Sequence, residues 1–385
     1  GEKLMKKAII VVPTYNEVES ISKMINHLFT EIFPKITNWH CQLLIVDDTS
    51  PDGTYKVVQK LQKKYKDLFL LLNKEKAGIG NAYVKGFKLA MSKLKADVVI
   101  EFDGDFQHPP TDIPIMLQEI DNGADYVMGS RKIKGGSNPK GWGFKRLFFS
   151  EAGGFMARFI LFFPFKNFFK ITDPTTGLKA SRVKGFVDTM DMDHLYSKKF
   201  GYKLEFLFKM VMLQAKIKEI PLKFGLRTLG ESKISGQTAS DILKTVIFLR
   251  LKKEEKLIKV MVVGAIGTII QLSFFNLFRS LLALSLSLAQ NLSIEIAIVS
   301  NFVINNLWTF NDHQFSLKEI KKLVVGFFKF NLTSLGSILI QNLVLISGVS
   351  LLGRSFFIEN GLIIVGILIG LIWNYIMYTK VVWKK

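Results

Sequence analysis

Two carboxylates separated by one glycine, Asp103-Gly104-Asp105, form the motif with the clearest chemistry in this sequence. They follow a short apolar run at residues 98–102, and Gln107 lies two residues further on. Carboxylate and amide oxygens at this spacing can converge on one cation, and such hard ligands suit Mg²⁺ or Mn²⁺. The motif predicts a metal site that neutralises a diphosphate leaving group. The alternative is a charged loop between a strand and a helix.

A motif near the start of the chain carries groups that suit a nucleotide. Pro13 begins a rigid turn, Tyr15 supplies an aromatic face for a base, and Glu17 supplies a carboxylate that can accept from base or ribose. The same residues would also fit the acidic first turn of a helix. This motif alone therefore leaves both interpretations open.

Residues 46–54, Val-Asp-Asp-Thr-Ser-Pro-Asp-Gly-Thr, place two carboxylates side by side at the end of an apolar run. Adjacent carboxylates repel each other unless a partner binds one of them. We therefore expect Asp48 to bind a nucleobase or ribose. Asp52 and Thr54 are suited to forming the turn and capping the next helix.

A glycine-rich segment at residues 77–82 begins another predicted helix. Such segments can approach a nucleotide closely. This one does not follow the first strand and lacks the third spaced glycine of a dinucleotide fingerprint, which argues against nicotinamide binding.

Four cations and a hydroxyl later in the chain are suited to a phosphate group, because Arg and Lys donate strongly to phosphate oxygens. A single surface cation is more often simply solvated. Their position near the aromatic and apolar segments described below favours a phosphate ligand. These residues are Arg131, Arg146, Ser150, Arg227 and Lys233.

These motifs follow predicted strands, as expected at the ligand edge of a parallel α/β sheet. The predicted strands cover residues 8–12, 43–46, 68–72, 98–102 and 126–128. The predicted helices cover residues 18–33, 54–65, 81–93 and 111–122.

Residues 142–170 are unusually rich in Phe and basic residues. Phe144, Phe148, Phe155, Phe159 and Phe162 recur at helical spacing, and the pattern is typical of a helix in the membrane interface. The alternative is an amphipathic helix packed on the sheet. A second interfacial helix is predicted at residues 242–251.

Four apolar segments, 257–282, 286–310, 323–351 and 357–383, are each long enough to span a bilayer as a helix. Lysines cluster before the first segment, after the second and at the end of the chain. The positive-inside rule therefore predicts cytoplasmic termini and a cytoplasmic catalytic half. Polar residues in the second segment are expected to face other helices, with a transport path as the alternative: Asn291, Glu295, Asn301, Asn305 and Asn306.

The composition limits the remaining classes. The 385 residues carry a net charge of +20, which suits anionic lipids or phosphorylated substrates and, more weakly, nucleic acid. The single cysteine, Cys41, excludes a disulfide framework and is expected to be an inert core thiol. No cleavable signal peptide is evident. We expect an α/β domain at residues 1–235, an interfacial linker at 236–256 and an all-α four-helix transmembrane domain at 257–385.

Read together, the motifs resemble glycosyltransferase family 2, with its GT-A fold, and in particular the polyprenyl-phosphate hexose synthases. The likeness rests on six motifs at residues 13–17, 46–54, 80, 103–110, 129–131 and 230–233, and it covers most of residues 6–234. The stretch 301–310, Asn-Phe-Val-Ile-Asn-Asn-Leu-Trp-Thr-Phe, resembles the small four-helix membrane domain fused to such enzymes.

The resemblance implies a role for each matching residue. The residues implied to bind the nucleotide are Pro13, Tyr15, Glu17, Val46 and Asp48. Those implied to surround the metal and diphosphate are Asp103, Gly104, Asp105 and Gln107. The lipid phosphate would be met by Arg131, Arg146 and Ser150, with Arg227 and Lys233 on a loop that closes over the phosphates. Asp105, Arg131 and Arg146 would be central to catalysis.

The resemblance implies inverting transfer of a hexose, here mannose from GDP-mannose, to a polyprenyl phosphate such as dolichyl phosphate. UDP-glucose is the alternative donor. Two other classes stay open: a processive polysaccharide synthase, whose QxxRW-type motif is not found, and a lipid-linked sugar flippase with a regulatory nucleotide-binding domain. A nucleic-acid-binding module is the weakest alternative.

Overall fold

The computed structural model describes residues 5–76, 78–225, 236–316, 318–353 and 355–384. The chain divides into two compact units, Gly1–Arg250 and Leu251–Lys385. The predicted phosphate ligands Arg227 and Lys233 lie outside the described residues.

The first unit is built on a seven-stranded sheet with the order β3-β2-β1-β4-β6-β5-β7. All neighbouring strands are parallel except those that flank β6, which runs antiparallel to β4 and β5. The strands are β1 (Lys6–Thr14), β2 (Trp39–Asp47), β3 (Leu68–Leu72), β4 (Val98–Glu101), β5 (Tyr126–Ser130), β6 (Lys179–Arg182) and β7 (Ile217–Pro221).

The central strands are buried on both faces, which explains why they read as continuous apolar runs. Ile9 and Val11 belong to one hydrophobic core, whereas Ile10 and Val12 belong to the core on the opposite face. The GT-A fold class predicted from the sequence is thereby confirmed, since the sheet is mostly parallel and covered by helices.

The helices of this unit lie close to their predicted positions, except the one at residues 202–212, which the sequence analysis did not predict. They are α1 (Val18–His27), α2 (Thr54–Gln62), α3 (Ile79–Leu89), α4 (Asp112–Asp121), α5 (Phe144–Phe162), α6 (Asn167–Lys170), α7 (Tyr202–Met212) and α8 (Gly236–Lys253), the last of which runs past the unit boundary. Both α1 and α3 continue through a π-helical turn, Leu28–Ile32 and Ala90–Leu94.

Helix α5 combines the two interpretations of the aromatic segment. Ala157, Leu161 and Phe162 are buried in the core, so one face packs on the domain. Phe144 and Phe148, in contrast, are 82% and 55% exposed. Other exposed aromatic side chains on and near α5 are Phe149, Phe155, Phe159, Phe163, Phe165 and Phe169.

The second unit consists mainly of four long helices, α9 (Glu255–Ser280), α10 (Leu286–Ile304), α11 (Ile320–Leu352) and α12 (Phe356–Met377). By length and composition, two stretches of the described residues could cross a membrane, Glu255–Phe278 and Ile320–Ile340. Leu368–Val382 is a shorter apolar helical stretch.

Asn306 joins three parts of the second unit. Its side-chain oxygen accepts hydrogen bonds from the Phe315 backbone at 2.7 Å and from Trp383 Nε1 at 3.1 Å. The Trp383 ring stacks on Phe310 with centroids 4.4 Å apart. This polar residue therefore fastens helices together, as expected.

Glu295 differs from that expectation, because it is exposed within its unit. Asn301 instead meets α9 where Gly267 leaves room, since a Cβ on Gly267 would lie 2.3 Å from the Asn301 Oδ1. Six residues at 100° each place Glu295 about 120° around the helix from Asn301. The structure does not describe the side chain of Asn291, so the prediction for that residue is not tested.

Candidate functional site

The sheet brings the predicted site residues to one edge. In the parallel pairing, Pro13 lies beside Val46, and Val11 lies beside Glu101. The carboxyl ends of β1, β2 and β4 are therefore neighbours, which is where ligands bind in open α/β sheets.

At the end of β2, the two adjacent carboxylates have different roles. Asp47 is fully buried and accepts hydrogen bonds from Thr14 Oγ1 at 2.8 Å and from the backbone and hydroxyl of Ser50. Asp48 accepts from Asn73 Nδ2 at 2.8 Å. Burial raises the pKa of Asp48, and the hydrogen bond from Asn73 opposes that rise. Asp47 thus builds the turn and leaves Asp48 as the candidate nucleotide ligand.

The loop that carries Tyr15 and Glu17 is held by the loop after β2. The backbone N–H of Glu17 donates to Thr54 Oγ1 at 3.0 Å, and that of Val18 donates to Asp52 Oδ2 at 3.1 Å. Asp52 also accepts from the backbone and hydroxyl of Thr54. Asp52 and Thr54 therefore form the turn, as predicted, and additionally satisfy the first N–H groups of α1.

Among the predicted nucleotide-binding positions, Val46 and Tyr15 differ in how much side-chain surface they offer. Val46 is fully buried in the core, so its side chain does not face a ligand. Tyr15 does lie at the edge, where Lys76 Nζ stands 3.8 Å from its ring centroid. A cation over an aromatic face is attracted by the ring quadrupole.

The glycine-rich start of α3 serves packing. A Cβ on Gly80 would lie 2.6 Å from the Tyr202 Cβ, and one on Gly78 would lie 2.5 Å from the Lys198 carbonyl oxygen. Gly78 also has a positive φ of 97°, which favours glycine. The glycines therefore let the segment before α7 lie directly against α3, a partner that the sequence analysis did not foresee.

The metal motif follows β4 directly. Asp103 is partly open, with 28% of its side chain exposed, while Asp105 is buried and accepts from the Gln107 backbone at 3.1 Å. The Gln107 amide nitrogen donates to the Gly225 carbonyl at 3.3 Å, so its amide oxygen is the candidate metal ligand.

These residues fit a divalent ion that also binds the substrate. No group of three Asp, Glu, His or Cys side chains able to hold a metal occurs among the described residues. Mg²⁺ in nucleotide enzymes is commonly bound by one or two carboxylates together with substrate phosphates. Asp103, Asp105 and Gln107 match that pattern rather than an all-protein cage.

Behind the motif lies a set of buried ionisable groups. Glu101 is opposite Lys179 in the β4–β6 pairing, and both are fully buried. Burial raises the pKa of Glu101, whereas the neighbouring lysines lower it. The ring of His108 lies 3.4 Å from Asp103, and burial lowers the pKa of His108 to about 4. His108 is therefore neutral at pH 7, and its burial is typical of a structural histidine.

Arg131, at the end of β5, is bound to Asp173 by a bidentate pair. Its Nε and Nη2 donate to the two Asp173 carboxylate oxygens at 2.6 and 2.8 Å. The same guanidinium reaches Ser150 Oγ at 3.4 Å and Thr175 Oγ1 at 3.3 Å. Because most of the donor fork is used, Arg131 orients its neighbours and has few donors left for a phosphate.

Arg146 is the more open cation. It is exposed at the start of α5, with its guanidinium carbon 4.4 Å from the Trp142 ring centroid. Arg131 approaches the same ring at 5.9 Å. Arg131, Arg146 and Ser150 thus lie together, as predicted. Trp142 and Asp173 were not assigned roles in the sequence analysis, because neither a lone Trp nor a lone Asp indicates its partner.

Two family models match the chain. Residues 9–200 match "Glycosyl transferase family 2", and residues 260–383 match "GtrA/DPMS, transmembrane domain".

The relatives agree with both matches. A dolichol-phosphate mannosyltransferase of Pyrococcus furiosus is 30% identical over 383 residues, covering 98% of this chain and 99% of the relative. An undecaprenyl-phosphate mannosyltransferase of Micrococcus luteus is 32% identical, covering 62% of this chain and 92% of the relative. A polyprenol monophosphomannose synthase of Mycolicibacterium smegmatis is 28% identical, covering 62% and 84%. The chain belongs to glycosyltransferase family 2 and carries a transmembrane domain of the GtrA/DPMS type.

Proposed function

We propose that this enzyme transfers mannose from GDP-mannose to a polyprenyl phosphate, such as dolichyl phosphate, with inversion at the anomeric carbon. The observation that carries the proposal is the composition of α5. Its first turns place Arg146 and Ser150 beside Arg131, and its outer face exposes aromatic side chains such as Phe148. One helix thus combines phosphate-binding groups with a surface suited to the membrane interface. The mannosyltransferase names of the relatives support the sugar and the lipid.

In this proposal the donor lies along the edge formed by β1, β2 and β4. Tyr15 and Asp48 hold the base and ribose, with Pro13, Glu17 and the Val46 backbone shaping that end of the pocket. Asp103, Asp105 and Gln107 lie at the diphosphate, where a bound Mg²⁺ or Mn²⁺ would neutralise the charge of the leaving group.

The acceptor phosphate lies at Arg146 and Ser150, with Arg131 held in place by Asp173. Arg227 and Lys233 are further phosphate ligands on grounds of the family resemblance. An oxygen of the lipid phosphate attacks the anomeric carbon, the bond from that carbon to the diphosphate oxygen breaks, and GDP leaves with the electron pair. A phosphate monoester with a second pKa of about 6 is already anionic, so no strong general base is needed. Alignment and charge stabilisation supply the acceleration.

The test is sugar transfer by the purified full-length chain in detergent. GDP-mannose and UDP-glucose are offered separately with dolichyl phosphate, with and without Mn²⁺. We expect metal-dependent labelling of the lipid from GDP-mannose alone. Labelling from UDP-glucose alone would show that the donor is UDP-glucose and not GDP-mannose. Labelling without any divalent ion would contradict the proposed metal dependence.

We further propose that α9 to α12 all span the membrane and that the catalytic unit and both termini face the cytoplasm. Because the native Cys41 is buried, labelling of a single added cysteine shows on which side of the membrane that position lies. Cysteines at Ala283 and at Gln314 should label from opposite sides of the membrane with an impermeant maleimide. Labelling of both from one side would contradict this topology.

A further inference from the structure

Lys203 is a buried cation beside the metal motif. Only 2% of its side chain is exposed, and its Nζ stands 4.0 Å from Asp103 Oδ1. Lysine is almost never buried to this extent unless it is paired. The charge at Nζ therefore acts on Asp103, on the buried carboxylate of Glu101 and on whatever binds beside Asp103.

The surroundings of Lys203 hold its ammonium group in one place. Nζ lies 5.7 Å from the Tyr83 ring centroid and 5.4 Å from that of Phe200, within the range of cation–π attraction. A Cβ on Gly177 would lie 2.7 Å from Nζ, so the glycine leaves the space that the ammonium fills. The Lys203 backbone carbonyl also accepts from Lys179 Nζ at 2.8 Å.

The position of Lys203 in its helix is electrostatically unfavourable. It is the second residue of α7, and the N-terminal end of a helix favours anions over cations. A buried lysine there costs local stability, whereas a positive charge next to Asp103 offsets the negative charge of the motif. The position of Lys203 is therefore explained by its charge beside Asp103 and not by the stability of the helix.

We propose that Lys203 is a positioning residue that supplies a positive charge to the metal and diphosphate pocket. Before ligands bind, its ammonium balances Asp103 and weakens the attraction of the empty motif for a divalent ion. The same charge attracts the diphosphate. The pocket is thereby tuned to take the ion and the diphosphate together. This inference rests on the proposed location of the metal and the donor.

The charge predicts opposite effects on a cation and an anion. In the full-length protein without nucleotide, Lys203→Met should bind Mn²⁺ about tenfold more tightly, because one nearby repulsive charge is removed. The same variant without metal should bind inorganic diphosphate about tenfold more weakly. Electron paramagnetic resonance of free Mn²⁺ and isothermal titration calorimetry measure the two affinities.

Two controls separate charge from structure. Lys203→Arg keeps the charge and should stay within about twofold of the wild type for both probes. Lys209→Met, on the same helix but bonded to Glu205 and to the Asp191 carbonyl, changes the total charge equally and should also have little effect. Lys203→Gln is a second neutral variant in case Lys203→Met does not fold.

A fall in both affinities would show a structural role and overturn the proposal, as would no change in either. Neither probe contains a sugar, a base or a lipid. An enzyme that used a different donor would therefore still show the opposite shifts. Normal mannosyl transfer without those shifts would reject the role of Lys203 alone.

Discussion

Removing either partner of the buried pair of Arg131 and Asp173 is expected to destabilise the catalytic unit strongly. The two side chains are 8% and 2% exposed, and two short hydrogen bonds join them. Burial alone would raise the pKa of Asp173, but the hydrogen bonds and charge of Arg131 outweigh it and lower that pKa. Breaking a buried pair by removing one partner typically costs about 3–5 kcal/mol.

A double-mutant cycle tests this. Asp173→Asn and Arg131→Met should each destabilise the unit by about 3–5 kcal/mol, equivalent to roughly 6–20 °C in melting temperature for a unit of this size. The double variant should be at least about 2 kcal/mol more stable than the sum of the two single losses would make it, because no buried charge is left unpaired. Thermal unfolding of the detergent-solubilised chain, followed by circular dichroism at pH 7, gives the three values. Lys6→Met, which breaks an exposed pair with Asp121, should cost less than about 1 kcal/mol.

The pH dependence has a definite sign. Because the pKa of Asp173 is lower in the folded state, its stabilisation is present above the unfolded pKa of about 3.9 and is lost as the pH falls through the lower folded value. The difference in free energy of unfolding between the wild type and Asp173→Asn should therefore be constant from pH 5 upward and shrink below about pH 4. The reasoning would be refuted if the double variant lost the full sum of the two single-variant losses. It would also be refuted if the wild type and Asp173→Asn differed most in stability at acidic pH.

Three further outcomes are expected. Asp105→Asn should lower kcat for sugar transfer by about 10²-fold or more while the melting temperature stays near that of the wild type, and near-normal turnover would count against the metal assignment. Gly80→Ala should destabilise the protein by about 1–3 kcal/mol, because its Cβ would meet Tyr202, whereas Gly153→Ala in open space should not, and equal melting temperatures would contradict the packing. Cys41 is buried, and burial raises its pKa to about 12, so Ellman's reagent at pH 8 should label it only after unfolding; rapid labelling of the native protein would disprove its burial.

The parts of the fold that sequence reasoning predicted are those with strong periodic signals. Strand β3 lies at the predicted residues, and β1, β2, β4 and β5 differ only at their ends, whereas β7 was not predicted. Strand β6 could not be found in this way, because its four residues, Lys-Ala-Ser-Arg, have no apolar run. Its Lys179 is buried by a partner on another strand, Glu101, and such pairing is not visible in the local sequence.

The site shows the same division. The chemistry of Asp103 and Asp105 follows from residue type and spacing, so the motif could be recognised without a structure. The difference between Asp47 and Asp48 could not, because it depends on whether Thr14 or Asn73 donates to each carboxylate. Likewise, only the geometry shows that Asp173, Ser150 and Thr175 together occupy most of the Arg131 donor fork.

The hydrogen bonds from the first βα loop to Asp52 and Thr54 have a consequence for redesign. Residues 16–18 do not hold their shape alone, since their backbone N–H groups donate to side chains of the loop after β2. The two loops therefore behave as one transplantable module. Exchanging either loop separately for that of a related enzyme would leave these backbone donors without their partners, whereas exchanging both would keep the hydrogen bonds intact.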